Sequence, residues 1–188
     1  MFFERLRDKK FTLLEFGVDK GYSLMTWKEY FKYADIIGVD WNEIDLAQDR
    51  ITIIKEDVTS HELVKKIEPY RGSLEIIIDD SNHAWGIQRT LFETYFPFLN
   101  SGGYFIVEDI RCTVYGDGQY DRAKNFVYDR MSFTEYTKYM LELLRYPYMY
   151  RTDWIEAYLT TLPGNMKDII LEVENIFYIP GAIIISKC

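Results

Sequence analysis

Residues 12–40, TLLEFGVDKGYSLMTWKEYFKYADIIGVD, leave this chain few folds to choose from. An apolar run, Leu13-Leu14, meets Glu15 and a glycine turn at Gly17. Gly21 follows, then apolar residues at helical spacing (Leu24, Trp27, Tyr30, Phe31, Ala34) and a second apolar run, 36–39, that ends in Asp40. Strand, glycine loop, helix, strand and acid make one βαβ unit with a ligand loop at its first turn. Glycine lets backbone approach a ligand closely, and a helix N-terminus offers free N–H groups. An acid at the tip of the second strand, about twenty residues beyond the glycines, can take ribose hydroxyls.

The loop's spacing and charge sort the ligands. Gly17-Val18-Asp19-Lys20-Gly21 is neither a G-x-G-x-x-G dinucleotide fingerprint nor a G-x-x-x-x-G-K-[ST] phosphate loop. Glu15 and Asp19 put two acids where a pyrophosphate needs neutral or positive surroundings. An adenosine ligand carrying a cation fits better than one carrying phosphates. The same glycines also suit a tight turn made for packing alone.

The rest of the chain repeats the unit. A short helix is expected over 41–49 and a β-branched strand over 51–54 that leads to Glu56-Asp57-Val58. Thr59 and Glu62 read as a capping box for the next helix. Asp57 stands where an adenine amino group could be met, or is a plain turn acid; His61 reads as a surface residue. Residues 74–78 form a near-continuous apolar run, as in a strand buried on both faces, and end in Asp79-Asp80-Ser81-Asn82-His83. Trp85, Gln88, Leu91, Phe92, Tyr95 and Phe96 are spaced to cover the sheet from a helix. A turn at 100–103 precedes a fifth strand at 104–107, which ends in Glu108-Asp109. This alternation predicts a parallel sheet with helices on both faces and ligands at the carboxyl ends of its strands.

Beyond residue 111 the texture changes. Nine of the sixteen tyrosines lie between Tyr115 and Tyr158. Ser132 and Glu135 form a second capping box, opening a helix with Phe133, Tyr136, Met140, Leu141 and Leu144 on one face. The aromatic run 146–158 reads equally as a substrate lid, a homo-oligomer interface or packing under a loop. Residues 171–178 and 182–187, joined by Pro180-Gly181, read as an antiparallel hairpin that closes the sheet.

Length and composition bound the function. At 188 residues a single domain over 1–188 is expected, with no N-terminal accessory domain. A net charge of −8 disfavours a nucleic-acid partner, since phosphate binding relies on Lys and Arg. No stretch is long and apolar enough for a membrane span, and MFFERLRDKK lacks the order of a secretory signal. Cys112 and Cys188 form no metal-type pair, so a reduced, cytoplasmic protein is expected, with Cys112 a bystander.

These residues together resemble the class I S-adenosylmethionine-dependent methyltransferases over nearly the whole chain. LLEFGVDKGYSL resembles their first motif, GVDW their ribose-binding acid, and EDV their adenine contact. The resemblance implies a Rossmann-like α/β fold with a seven-stranded, mostly parallel sheet in the order 3-2-1-4-5-7-6. It also implies a cofactor site of Glu15, Gly17, Val18, Gly21, Tyr22, Ser23, Asp40, Trp41, Asp57, Val58 and Asp79. Within the class, IIIDDSNHAWGIQRTLFETYFPFLNSGGYFIVEDI is similar to the macrocin and mycinamicin type of sugar O-methyltransferase and to related cephalosporin-hydroxylase proteins. That similarity implies Mg²⁺ at Asp80, Glu108 and Asp109, with His83 as base and Asp80 beside it in catalysis.

The chain departs from that pattern at Ser81-Asn82, where those proteins have Gly-Ser, and it is expected to lack the N-terminal extension of the antibiotic enzymes. The macrolide pocket therefore does not carry over, and a sugar or small polyol hydroxyl remains the expected acceptor. Two classes stay open: an active, Mg-assisted O-methyltransferase, and an adenosyl-binding protein of the same fold without transfer activity. Hydroxylase chemistry lacks an iron-type ligand set here.

Overall fold

A computed structural model of the protein describes residues 2–110, 132–145 and 166–188. The strands are β1 (Thr12–Phe16), β2 (Asp35–Asp40), β3 (Ile51–Lys55), β4 (Leu74–Asp79), β5 (Leu99–Val107), β6 (Val173–Ile179) and β7 (Ala182–Lys187). The helices are α1 (Tyr22–Tyr30), α2 (His61–Ile67), α3 (Trp85–Tyr95), α4 (Phe133–Arg145) and α5 (Met166–Leu171). The strands form one seven-stranded sheet, β3-β2-β1-β4-β5-β7-β6. Its first five members are parallel, and β7 inserts antiparallel between β5 and β6. This is the expected class and order.

Every residue of β1 is buried, as a central parallel strand with both faces covered requires. Side-chain alternation then divides the core into two layers. Leu14, Phe16, Ile37, Val39 and Ile77 face a layer built with α2 to α5, around Leu63, Phe92, Phe133, Tyr136 and Ile169. Leu13, Ile36, Ile76 and Ile78 face Leu24 and Phe31 on the α1 side, with Leu6 from the N-terminal 3-10 turn. Glu15, between Leu14 and Phe16, thus points toward α1. Among the described residues no helix is long and apolar enough to cross a membrane.

Four local expectations are corrected. Residues 41–49 hold no helix; they run as bends and irregular chain. Ser60, not Thr59, caps α2, its hydroxyl accepting the Leu63 N–H at 3.0 Å. Thr59 is already used, since its N–H and hydroxyl both donate to Asp57 Oδ1, at 2.8 and 2.7 Å. Residues 100–103 are not a turn before β5 but an irregularity within it, because Leu99 already pairs with Leu74 while Tyr104 pairs with Ile76. In the C-terminal hairpin, α5 takes up Leu171, so β6 begins at Val173. The second capping box is present: Ser132 N–H donates to Glu135 Oε2 at 2.9 Å, and Glu135 N–H donates back to the Ser132 hydroxyl at 3.2 Å.

Candidate active site

The parallel ladder does not stop at the strand ends. Gly17 N–H donates to Val39 O, Asp80 N–H to Phe16 O, and Glu108 N–H to Asp79 O, each at 2.9 Å. Glu56 N–H extends the row to Asp40 O at the same distance. These bonds set Asp40, Gly17, Asp80 and Glu108 side by side along the carboxyl edge, one strand spacing of about 4.8 Å apart. Local apolar runs end in acids, and the shared register turns those ends into one row.

On the β2 side the row borders a cleft of about 300 Å³ lined by Gly17, Val39, Asp40, Trp41, Asp57, Val58, Ser81 and Asn82. Asp40 is buried and accepts three backbone N–H bonds: Val18 at 2.9 Å and Asp19 at 3.2 Å on Oδ2, and Asn42 at 2.8 Å on Oδ1. Burial pushes its carboxyl up, but these donors outweigh that and hold it below the usual range, so it stays ionised. They also fix the glycine loop to the tip of β2. Gly17 has φ 89°, and a Cβ there would stand 2.1 Å from the Asp80 carbonyl oxygen. Only glycine lets the first loop pass beneath the loop after β4.

On the β5 side, donor atoms of Asp80, His83 and Asp109 lie within 4.8 Å of one another. His83 (φ 59°) and Asp109 (φ 50°) both have left-handed backbone, uncommon outside glycine. Those turns bring the imidazole Nε2 to 3.7 Å from Asp109 Oδ2, while the buried Nδ1 has no partner among the described residues. Burial raises the Asp80 carboxyl; His83 pulls it down and Asp109 raises it further. Burial also raises Glu108, with Asp80, Asp109 and Asp79 adding to the effect. Asp79, fully buried, is pushed up to about 6 by desolvation, against the Ser81 hydroxyl at 2.6 Å and the Ser81 N–H at 3.1 Å on Oδ1. Its Oδ2 has no partner among the described residues. Crowded, half-desolvated carboxylates beside an imidazole suit a hard divalent cation and a proton acceptor.

Glu15 is almost wholly buried and accepts from the Ser23 hydroxyl and, at 2.8 Å, from Trp27 Nε1. Desolvation pushes its carboxyl up to about 7, against both donors and helped by Asp80 and Glu108. The folded chain therefore keeps a proton between pH 4.5 and 7 that the unfolded chain has released, so stability falls as pH rises through that window and levels off above it. At roughly 1.4 kcal/mol per unit, full ionisation costs about 3 kcal/mol. Glu15→Gln should flatten the fall by about that amount between pH 4.5 and 8 in denaturant titrations. Asp79, Asp80 and Glu108 leave a residual slope of the same sign. Equal slopes in the two proteins would show that Glu15 is not the titrating group.

The expected residues fall into three groups. Gly17, Asp40, Trp41, Asp57 and Val58 line the cleft, with Trp41 largely exposed at its rim. Glu15, Val18, Gly21, Tyr22, Ser23 and Asp79 are not lining residues. Val18 and Gly21 shape the loop, Glu15 and Ser23 bond to each other, Tyr22 is exposed at the start of α1, and Asp79 is sealed beneath Ser81. Asp80 and Asp109 come together with His83. Glu108 lies outside that three-residue cluster while sharing its field. Val39, Ser81 and Asn82 in the cleft wall and the buried Gln88 behind Glu108 were not expected as site residues. A polar Gln88 on an otherwise apolar helical stripe was the one available signal. Cys112 and the aromatic run 146–158 lie outside the described residues.

No family model matches the chain. It is 32% identical over 133 residues to the 8-demethyl-8-(2-methoxy-alpha-L-rhamnosyl)-tetracenomycin-C 3'-O-methyltransferase of Streptomyces olivaceus, covering 65% of this chain and 34% of that protein. It is also 32% identical over 116 residues to the mycinamicin VI 2''-O-methyltransferase of Micromonospora griseorubida, covering 57% of this chain and 29% of the relative. The chain thus spans about a third of the length of the curated relatives it matches. Among solved structures, MycE methyltransferase from the mycinamycin biosynthetic pathway, in complex with Mg and SAH, superposes with a TM-score of 0.80 at 21% identity. That match covers 98% of this chain and 46% of the other. The chain has the fold of the class I S-adenosylmethionine-dependent methyltransferases and is a sequence relative of the sugar O-methyltransferases of the tetracenomycin, mycinamicin and macrocin types.

Proposed function

We propose that the chain is an S-adenosylmethionine-dependent O-methyltransferase, assisted by Mg²⁺, that acts on a hydroxyl of a sugar or small polyol-like metabolite. The observation that carries this reading is the loop after β4. Ser81 and Asn82 wall the cleft above Asp40, while Asp80 and His83 of the same loop join Asp109 in the acid cluster. A donor bound in the cleft and an acceptor held at the cluster would meet across four residues. The names of the relatives, sugar O-methyltransferases, and the Mg and SAH in MycE support the same pairing.

In this reading Asp40 holds the ribose, Asp57 and Val58 border the adenine, and residues 17–23 take the amino-acid part, with help from the charge of Asp79 buried behind the cleft wall. Methyl transfer from a sulfonium is an in-line displacement, so fixing donor and acceptor supplies much of the acceleration. Asp80, Glu108 and Asp109 would hold the divalent ion, which supplies a lowered pKa for the acceptor hydroxyl. Asp79 Oδ2, without a partner among the described residues, and the four raised carboxyls fit an edge that receives positive charge. His83, with Nε2 turned to the cluster, would take the hydroxyl proton.

Calorimetry with S-adenosylhomocysteine tests the cofactor half. Asp40→Ala removes a charged acceptor and the anchor of the 17–19 loop, so affinity should fall roughly 10- to 100-fold. Equal affinities would remove Asp40 from the site, and binding of NAD in place of the adenosyl ligand would overturn the cofactor reading. Tight binding with no methyl transfer to any glycosylated acceptor would favour the non-catalytic alternative.

A further inference from the structure

We infer that Gln88 is a positioning residue that sets the two halves of the acid cluster against each other. This rests on the metal reading above. Gln88 is fully buried on α3, whose other buried positions, Leu91, Phe92 and Tyr95, pack into the apolar core. Its backbone N–H donates to Ala84 O at 2.9 Å, next to His83. Its side-chain Nε2 donates to Glu108 O at 3.3 Å. The backbone bond is the first-turn bond of α3 that any residue here would make, so it is the side-chain amide that ties the helix following the Asp80 and His83 loop to the segment that carries Glu108 and Asp109.

Packing does not explain an amide at this position. Its Oε1 is buried with no partner among the described residues, a cost that an apolar side chain of the same volume would avoid. The compensating role is geometric. Beyond Glu108 the chain leaves the β4 ladder, and Asp109 holds φ 50° with its carboxylate toward His83. The Glu108 N–H is fixed by Asp79 O, and Gln88 holds the carbonyl of the same residue, so Glu108 is held on both sides of its Cα and the peptide leading into Asp109 is held through its carbonyl. Ile110 N–H anchors the far side of Asp109 on Gly181 O at 3.2 Å, so the Glu108 carbonyl is the point that Gln88 secures from the α3 side. Divalent ions with strict geometry lose affinity when their ligands shift.

Gln88→Met keeps the volume and removes the donor. Mg²⁺ binding to the apo protein, followed by calorimetry and by the metal-induced rise in melting temperature, should weaken roughly tenfold or more. Affinity for S-adenosylhomocysteine should stay within about twofold, since Gln88 does not touch the cleft. If Gln88→Met does not fold, Gln88→Asn, which keeps the amide but withdraws it by one methylene, should show the same split. Unchanged metal affinity beside normal wild-type metal binding would overturn the role of Gln88 alone. Equal losses of metal and cofactor affinity would mark it as merely structural. Wild-type protein that binds no divalent ion would overturn the metal reading and this inference with it.

Discussion

Gly17→Ala should destabilise the fold by about 3–5 kcal/mol and abolish measurable cofactor binding, combining left-handed strain with a backbone overlap. Both effects come from one place. The loop after β1 runs at φ 89°, and the added carbon would lie 2.1 Å from Asp80 O, 2.7 Å from its carbonyl carbon and 3.0 Å from Ser81 Cα. All three are main-chain atoms, so no rotamer change relieves the contact. Either the 17–19 loop rises off Asp40 or the 80–83 loop is displaced, and both border the cleft. Gly72 is an internal control. It has φ 76°, but a Cβ there would meet nothing within 4 Å. Gly72→Ala should therefore show the left-handed strain alone, about 1–2 kcal/mol, with ligand binding unchanged. Denaturant titration of the two variants separates strain from overlap. Similar losses in both would mean that the crossing of the two loops has no energetic weight.

His83→Ala should slow methyl transfer by roughly 10²- to 10⁴-fold while leaving cofactor affinity intact, if the imidazole is the general base. The geometry offers a competing role, because an imidazole nitrogen lies in the same cluster as the Asp80 and Asp109 carboxylates. Metal binding to the variant separates the two. A base can be removed with Mg²⁺ affinity retained, whereas a ligand cannot. Asp109→Asn gives the complementary result: metal affinity and metal-dependent transfer should both collapse, with cofactor affinity nearly unchanged. Transfer that is indifferent to a chelator would sink the metal reading and leave His83 or Asp80 as the candidate base.

The Asp109 and His83 backbones are strained, and that strain separates what was legible in the sequence from what was not. The strands and the acids at their ends follow from short apolar runs that stop at Asp40, Asp79 and Glu108, whereas the strand order came only from the family resemblance. Such runs are local, and a buried parallel strand needs nothing more to be recognised. The conflicts arose where a competing partner, near or far in the chain, claimed a group that the local pattern had spoken for. Residues 41–49 have polar and apolar residues at spacings a helix could use. Instead, Asp40 takes the Asn42 N–H, and Leu46 packs close against Gly21, so the segment serves as a wall of the first loop. Thr59 is a good helix cap until its hydroxyl turns to Asp57 Oδ1, away from the helix, and Ser60 accepts the Leu63 N–H instead.

At the site, the sequence by itself determined which residue types reach the carboxyl edge, because strand ends and register follow from hydrophobic pattern. It did not determine which of them face one another. Asp80, His83 and Asp109 meet where two non-glycine residues adopt left-handed backbone, while Glu108, still in register with β4, lies outside their cluster. The raised carboxyls of Glu15, Asp79, Asp80 and Glu108 are likewise a product of burial and mutual repulsion, and neither exists until the sheet has formed. Gln88 reads in the chain as one polar residue on an apolar helix. Only the packing of α3 against the ends of β4 and β5 gives its amide a carbonyl to hold.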